Sequence, residues 1–292
     1  MMTIKEIMKS SGISPLDAEL LLSCALKKTK EYLFSYPEKK LSLRQWEKFK
    51  NLARRRKTGM PIAYLVGKKE FFGFDFYVDK NVLIPRPETE ITVKQIIAKL
   101  QENRKDNLST VIDVGTGSGN IIVSIAKNIS PTRSRKKKMF AVDVSEEALR
   151  IARRNARKNF VSEKIKFAKS NLLEYFLKNK QTLKSDELIV VANLPYVSSK
   201  LYKKYRGNLR FEPKSALVSG SKGLAHYKKL LHQIRGLLPV IRGSVSIFIE
   251  ISPEQKSPIS RLVSEIFAGN KVKFSKDLAG KSRVAEITLS RV

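Results

Sequence analysis

The spacing of apolar residues along the chain switches from a helical repeat to strand-length runs, and the switch divides the sequence. Up to about residue 60 the repeat is helical. Ser14 is placed to cap a segment that opens Pro15-Leu16-Asp17-Ala18, with proline at the first helical position. A second helix is expected from Ser42 through Trp46, Phe49 and Leu52 to near Gly59. Trp46 and Phe49 are three apart and share a face, which predicts core packing for both. The aromatic and glycine alternation of residues 70–78 predicts a short β-hairpin. After it, Pro85 and Pro87 hold the chain extended until Thr89 can cap a new helix.

From about Thr110, apolar runs alternate with helical segments, the pattern of a parallel sheet with crossover helices. Strands are expected at residues 111–114, 139–144, 164–168, 188–192 and 245–251, and helices include 121–129 and 145–157. Ser145 caps the latter, with Glu146 and Glu147 favourable in its first turn. The end differs: the runs 272–274 and 284–289 are too close for an intervening helix, so they form a terminal antiparallel hairpin. The expected fold class is α/β, a mostly parallel seven-stranded sheet with an antiparallel C-terminal hairpin, plus a small N-terminal helical domain. The corresponding domains are 1–60, helical and substrate-docking; 61–106, hairpin and linker; and 107–292, the α/β domain.

Ligands of such sheets bind beyond the carboxyl ends of the strands, and there the chain is unusual. The first strand ends in Asp113-Val114-Gly115-Thr116-Gly117-Ser118-Gly119-Asn120. Glycines at alternate positions allow a tight turn and a close ligand approach. The spacing is not the dinucleotide fingerprint; it fits a small anionic group such as an amino-acid carboxylate, with Asp113 able to take the ammonium. The second strand closes on Asp143, which can accept both hydroxyls of a ribose. Amino acid and ribose together describe S-adenosylmethionine, whose product is S-adenosylhomocysteine; a lone glycine loop would be an ordinary turn. The fourth strand closes on Asn193-Leu194-Pro195-Tyr196. The Asn193 side chain and the Leu194 carbonyl can accept both N–H hydrogens of a planar nitrogen, Pro195 fixes the turn, and Tyr196 offers a face for stacking. Glutamine amide, or the exocyclic amine of adenine or cytosine, fits equally well. His226 and His232 share no ligand spacing with carboxylates, so no metal is implied and both read as surface residues on a helix.

Composition changes this picture little. There are 58 Lys and Arg against 27 Asp and Glu, a net charge of +31 that favours polyanionic partners. The densest runs, 54–57, 133–138 and 200–210, read as loops or helix ends on a solvated surface; non-specific RNA or ribosome contact is expected of them. The single cysteine, Cys24, excludes an internal disulfide and reads as a small core residue in a reducing compartment. The start lacks the apolar region of a signal peptide and no run approaches membrane-spanning length, so a cytoplasmic protein is expected; it is also expected to be a monomer.

The chain resembles the release factor glutamine methyltransferases (the HemK/PrmC family), class I S-adenosylmethionine-dependent enzymes of Rossmann-like fold. The resemblance is carried by residues 17–22, 61–67 and 70–73, by Leu83-Ile84-Pro85-Arg86-Pro87-Glu88-Thr89-Glu90, and by 211–217 and 277–283. It implies transfer of a methyl group to the side-chain amide nitrogen (N5) of the glutamine in the Gly-Gly-Gln motif of class I peptide chain release factors. It assigns Asp113, Gly115, Thr116, Gly117, Ser118, Gly119, Asp143, Asn171, Leu172 and Asn193 to the cofactor. Asn193, Leu194, Pro195 and Tyr196 would form the substrate site, with Asn193, Pro195 and Tyr196 catalytic. Leu194 stands where the family usually has proline, and Asn171 where an acid is common. Leu194 and the charge motivate the alternative, an RNA or DNA adenine N6-methyltransferase; charge alone motivates a non-catalytic RNA-binding module. Arg86, Glu88, Glu212, Pro213, Asp277 and Arg283 read as structural.

Overall fold

The computed structural model describes residues 2–102, 108–130, 137–220 and 223–289. The chain forms two compact units, Met1–Lys68 with Val78–Lys80, and Lys69–Tyr77 with Asn81–Val292.

The first unit is helical: α1 (Ile4–Ser10), α2 (Pro15–Leu26), α3 (Lys30–Ser35), α4 (Leu43–Lys57) and α5 (Ile62–Val66). Ser14 Oγ accepts from the Asp17 amide with Pro15 at the first position, and Ser42 and Gln45 cap each other reciprocally at the start of α4. Ile4, Ile7, Leu21, Leu22, Leu33 and Phe49 make its core, with Cys24 partly buried against them. Phe49 is buried and Trp46 is stacked on it at 6.0 Å, but Trp46 itself only borders the cluster.

The second unit opens with the predicted hairpin, β1 (Lys68–Phe71) and β2 (Phe74–Tyr77). Phe72 and Gly73 both have positive φ, the tight two-residue turn that matches strand twist. A 3-10 turn at Pro87–Thr89 leads into α6 (Glu90–Glu102). Thr89 does not use its hydroxyl as a helix cap; it donates to the Glu250 carboxylate. Then strand and helix alternate: β3 (Ser109–Val114), α7 (Asn120–Asn128), β4 (Lys137–Asp143), α8 (Glu146–Lys158), β5 (Ile165–Lys169), α9 (Glu174–Lys178), β6 (Glu187–Ala192), α10 (Ser199–Leu209), α11 (Ala225–Leu237), β7 (Ser244–Glu250), α12 (Lys256–Ile266), β8 (Val272–Lys276) and β9 (Ser282–Leu289).

These strands form a seven-stranded sheet in the order β5-β4-β3-β6-β7-β9-β8. The pairs from β5 through β7 are parallel, and β9 runs antiparallel to both β7 and β8. Alternate residues serve opposite faces. Leu188, Val190 and Ala192 of β6 join one core cluster, and Ile189 and Val191 join the other. Burial on both faces explains why these strands read as continuous apolar runs. The order reverses direction between β3 and β6, so a crevice opens at their carboxyl ends.

The basic runs differ from expectation in detail. Arg54 to Lys57 end α4 as foreseen. Of the second run, residues 133–136 lie outside the described residues, while Lys137 and Lys138 open β4 rather than a loop. The third spans the whole of α10, whose Ser198 cap accepts from the Leu201 amide.

Candidate active site

Strand register sets the site. Val114 pairs with Val142 on one side and with Ala192 on the other. The residues that follow these three, Gly115, Asp143 and Asn193, therefore leave the sheet at one level. A single cleft is walled by Gly115 to Ser118, Asp143 to Ser145, Ser170 to Leu172 and Asn193 to Pro195.

The glycine wall is built from backbone. Gly115, Gly117 and Gly119 have φ of 71°, 54° and 78°, a region that a Cβ disfavours. A Cβ on Gly115 would lie 2.8 Å from Leu194 Cδ2, and one on Gly119 would lie 3.1 Å from Ala152 Cβ. Gly119 is therefore a helix-packing glycine at the cap of α7 and does not line the cleft. At Gly117 a Cβ would find only the Gly115 carbonyl, 3.9 Å away. Asp143 braces this wall: Oδ2 accepts from the Gly117 amide and Oδ1 from the Ser145 amide, both at 2.9 Å. Burial raises its carboxyl above the ordinary range, against those amides, which pull it down. Asn155 of α8 ties the loop to the hairpin, donating to the carbonyls of Ser118 and Tyr77.

Asp113 lies outside the cleft walls. It is 1% exposed and accepts from Thr116 Oγ1 at 2.7 Å; burial pushes its carboxyl up to about 7. Its observed bond holds the glycine loop. Ser118 is also buried, its hydroxyl donating to Asn120 Oδ1. Asn171 is exposed at the rim, and Leu172 is buried with a positive φ of 56°.

The opposite wall is built from side chains. Asn193 Nδ2 donates to Thr89 Oγ1 at 3.2 Å, and Thr89 Oγ1 donates to Glu250 Oε2 at 2.6 Å. Glu250 is 3% exposed and its carboxyl is pushed up to about 7, first by burial and then by the nearby Glu88 charge. Tyr196 hydrogen-bonds to the same carboxyl and does not line the cleft. Burial and the charge of Glu250 raise its phenol well above the ordinary value. The Leu194 side chain is buried against Gly115 and the core, and its carbonyl lies 3.3 Å from the Tyr227 hydroxyl. That hydroxyl has one proton and a shorter contact to the Glu250 carbonyl, which leaves the Leu194 oxygen with accepting capacity. A Cβ on Gly223 would strike the Tyr196 carbonyl at 2.2 Å, so glycine there lets the tetrapeptide take its path.

Comparison with known proteins decides the family. Residues 3–67 match the PrmC N-terminal domain, and residues 105–222 match a methyltransferase domain. The release factor glutamine methyltransferase of Coxiella burnetii is 34% identical over 293 residues, 97% of this chain and 98% of the relative. That of Bacillus subtilis is 34% identical over 268 residues, 91% of this chain and 88% of the relative. The chain belongs to the release factor glutamine methyltransferase family. Among solved structures, the human METTL16 catalytic domain, in complex with a MAT2A hairpin, has a TM-score of 0.57 at 15% identity, covering 83% of this chain and 80% of that one. At that identity the likeness speaks to the fold alone. As a member of this family the chain is an S-adenosylmethionine-dependent methyltransferase.

The donor chemistry of the glycine wall fits such a cofactor. Gly117 leaves open space on the cleft, and the Asp143 carboxylate offers acceptor lone pairs beside it. Sequence reasoning placed His226 on the surface of a helix, and this was wrong in its surroundings. His226 is half-buried and lines the cleft, Nδ1 lies 2.7 Å from Ser219 Oγ, and burial lowers its pKa. His232 is exposed as expected. Arg86, read as a surface ion-pair residue, reaches the buried carboxylate of Glu212 at 2.5 Å, and Glu212 also accepts from the Ile84 amide. The pair anchors the proline-rich turn that carries Thr89. Asp277 accepts from Arg283 and from the Ala279 and Lys281 amides, which fixes the terminal hairpin turn. Thr89 and Glu250 were missed as site residues. Glu250 carries the signal used for Asp143 and Asn193, a polar residue closing an apolar strand; Thr89 carries none.

Proposed function

We propose that the protein methylates the side-chain amide nitrogen, N5, of the glutamine in the Gly-Gly-Gln motif of class I peptide chain release factors. Bound S-adenosylmethionine would supply an electrophilic methyl group. Gly115 to Ser118, Asp143 and the Ser170–Leu172 segment would hold it, while Asn193, Leu194 and Pro195 hold the substrate. The observation that carries this reading is Asn193 leaving the sheet level with Gly115 and Asp143, within a chain related end to end to enzymes of that name.

An amide nitrogen is a weak nucleophile because its lone pair is delocalised. The protein's task is therefore to align that lone pair with the methyl group and to strip water from it. Accepting hydrogen bonds from both N–H hydrogens, at Asn193 Oδ1 and the Leu194 carbonyl, would point the lone pair along one direction. Leu194 replaces proline without losing this capacity, because its side chain turns into the core and leaves its carbonyl as the polar group. That weakens the motive for an adenine substrate. The helical first unit, which matches the PrmC N-terminal domain, serves in this reading to dock the release factor.

The experiment uses the purified full chain with methyl-labelled S-adenosylmethionine and three acceptors: whole release factor, a short Gly-Gly-Gln peptide, and RNA. Label is expected in the release factor and is expected to vanish when the loop glutamine is replaced. A lower KM for whole factor than for peptide is expected from docking. Label in RNA alone would overturn the reading.

A further inference from the structure

We infer that Glu250, acting through Thr89, is a positioning residue that fixes which end of the Asn193 amide meets the substrate, and so selects an amide over a carboxylate. The inference rests on the glutamine reading above and adds the device that makes the site specific.

It follows from counting protons. An ionised carboxylate can only accept hydrogen bonds, and a hydroxyl has one proton to give. Thr89 Oγ1 lies 2.6 Å from Glu250 Oε2, so with Glu250 ionised the threonine proton is committed there. Thr89 is 1% exposed and Glu250 is 3% exposed, so water does not compete. Toward Asn193, the Thr89 oxygen can then only accept. The atom of Asn193 that faces it must be the donor, Nδ2, as observed at 3.2 Å. That leaves Oδ1, an acceptor, as the free end of the amide. An acceptor takes an N–H from a substrate amide and repels the oxygen of a carboxylate. An incorrectly turned Asn193 would offer Nδ2 and reverse the preference.

The neighbours of the carboxylate support this use of it. The Tyr196 hydroxyl bonds to it, and the charges of Glu88 and Arg283 act on it with opposite sign. The Tyr227 hydroxyl contacts the main-chain carbonyl of the same residue. Glu250 thus orients Thr89 and holds the tyrosine of the tetrapeptide at once. Thr89 is presented by a turn whose proline-flanked arginine is pinned to Glu212. A buried polar network built round an ionised carboxylate, to which its neighbours can only donate, is a device for fixing one orientation.

The test measures methyl transfer to release factor, and inhibition by the same factor with its loop glutamine changed to glutamate, in wild type, Thr89→Val and Thr89→Ser. Valine keeps the shape and removes the hydroxyl. Thr89→Val is expected to lower kcat on the order of tenfold or more, with cofactor affinity unchanged. It is also expected to bind the glutamate-loop factor more tightly relative to the natural one. Thr89→Ser is expected to restore both. Wild-type kcat and discrimination in Thr89→Val would overturn the inference, and so would a Thr89→Ser variant that melts normally yet behaves like Thr89→Val. If Thr89→Val does not fold, Thr89→Ala carries the test, since alanine removes the same hydroxyl; wild-type discrimination in that variant overturns the inference. Should wild type leave release factor unlabelled, it is the substrate reading that fails. The relay is then judged by loss in Thr89→Val and rescue in Thr89→Ser on whichever planar nitrogen substrate is methylated.

Discussion

The two walls of the cleft are built by opposite means. The glycine wall is local: Asp113 with Thr116 and Asp143 with Gly117 are the main side-chain bonds that shape it, spanning 3 and 26 positions. The Asn193 wall depends on two bonds of long range, Asn193 to Thr89 across 104 positions and Thr89 to Glu250 across 161. One wall presents backbone in strained conformations that glycine alone tolerates well. The other presents a side chain whose direction is set by a chain of buried hydrogen bonds. A backbone wall suits a ligand that every related enzyme shares, because close approach is all it needs. A side-chain network suits the choice between similar acceptors, because a single proton decides it.

Replacing Asn193 is the strongest way to separate the walls. Asn193→Ala is expected to lower kcat on the order of a hundredfold or more, since it removes an acceptor aligned with the reacting nitrogen. Cofactor affinity, measured by calorimetry, is expected to stay near wild type because Gly117 and Asp143 are untouched. Unchanged turnover would show that the tetrapeptide does not carry the transfer.

This contrast also explains what was legible beforehand. The sheet, its antiparallel end and the caps at Ser14, Ser42 and Ser145 were readable because each follows from spacing over a few residues. So was the glycine loop. Gly119 was legible as a needed glycine, but its reason, the approach of Ala152, is tertiary. Thr89 read as a helix cap because its neighbours support one, and a buried carboxylate on a distant strand claimed its hydroxyl instead. His226 read as surface because helical position alone does not show which turn of α11 borders the cleft.

A smaller effect tests the backbone wall. Gly117→Val places a branched side chain at a φ of 54°, on the cleft. A left-handed conformation costs an ordinary residue about 1–2 kcal/mol, and relaxing that strain would move the loop. The cofactor Kd is expected to rise on the order of tenfold, with kcat at saturating cofactor changing less than in Asn193→Ala. Equal loss of kcat in both variants would erase the distinction between the walls.

The smallest effect is on stability, and it isolates the cost of the side-chain wall. Burial holds the Glu250 carboxyl at about 7 against an ordinary 4.5. The native state therefore keeps this proton over a range in which the unfolded chain has lost it. The stability linked to the raised pKa is fully present below about 4.5 and is lost as pH rises through about 7. Above that, the fold carries a buried charge which the hydrogen bonds from Thr89 and Tyr196 only partly offset. Glu250→Gln removes the charge and keeps the shape. Its melting temperature relative to wild type is expected to be higher at pH 8 than at pH 5.5, by on the order of a few degrees. Asp113, held at about 7 in the same way, is common to both proteins and cancels in the difference. A constant difference across that range would mean that Glu250 does not change its protonation within it. If it is ionised there, the acceptor-only logic of the relay holds over the whole of that range. A pH-dependent difference would instead predict that discrimination against glutamate weakens on the acid side, where a protonated Glu250 can donate to Thr89 and release Asn193 to turn.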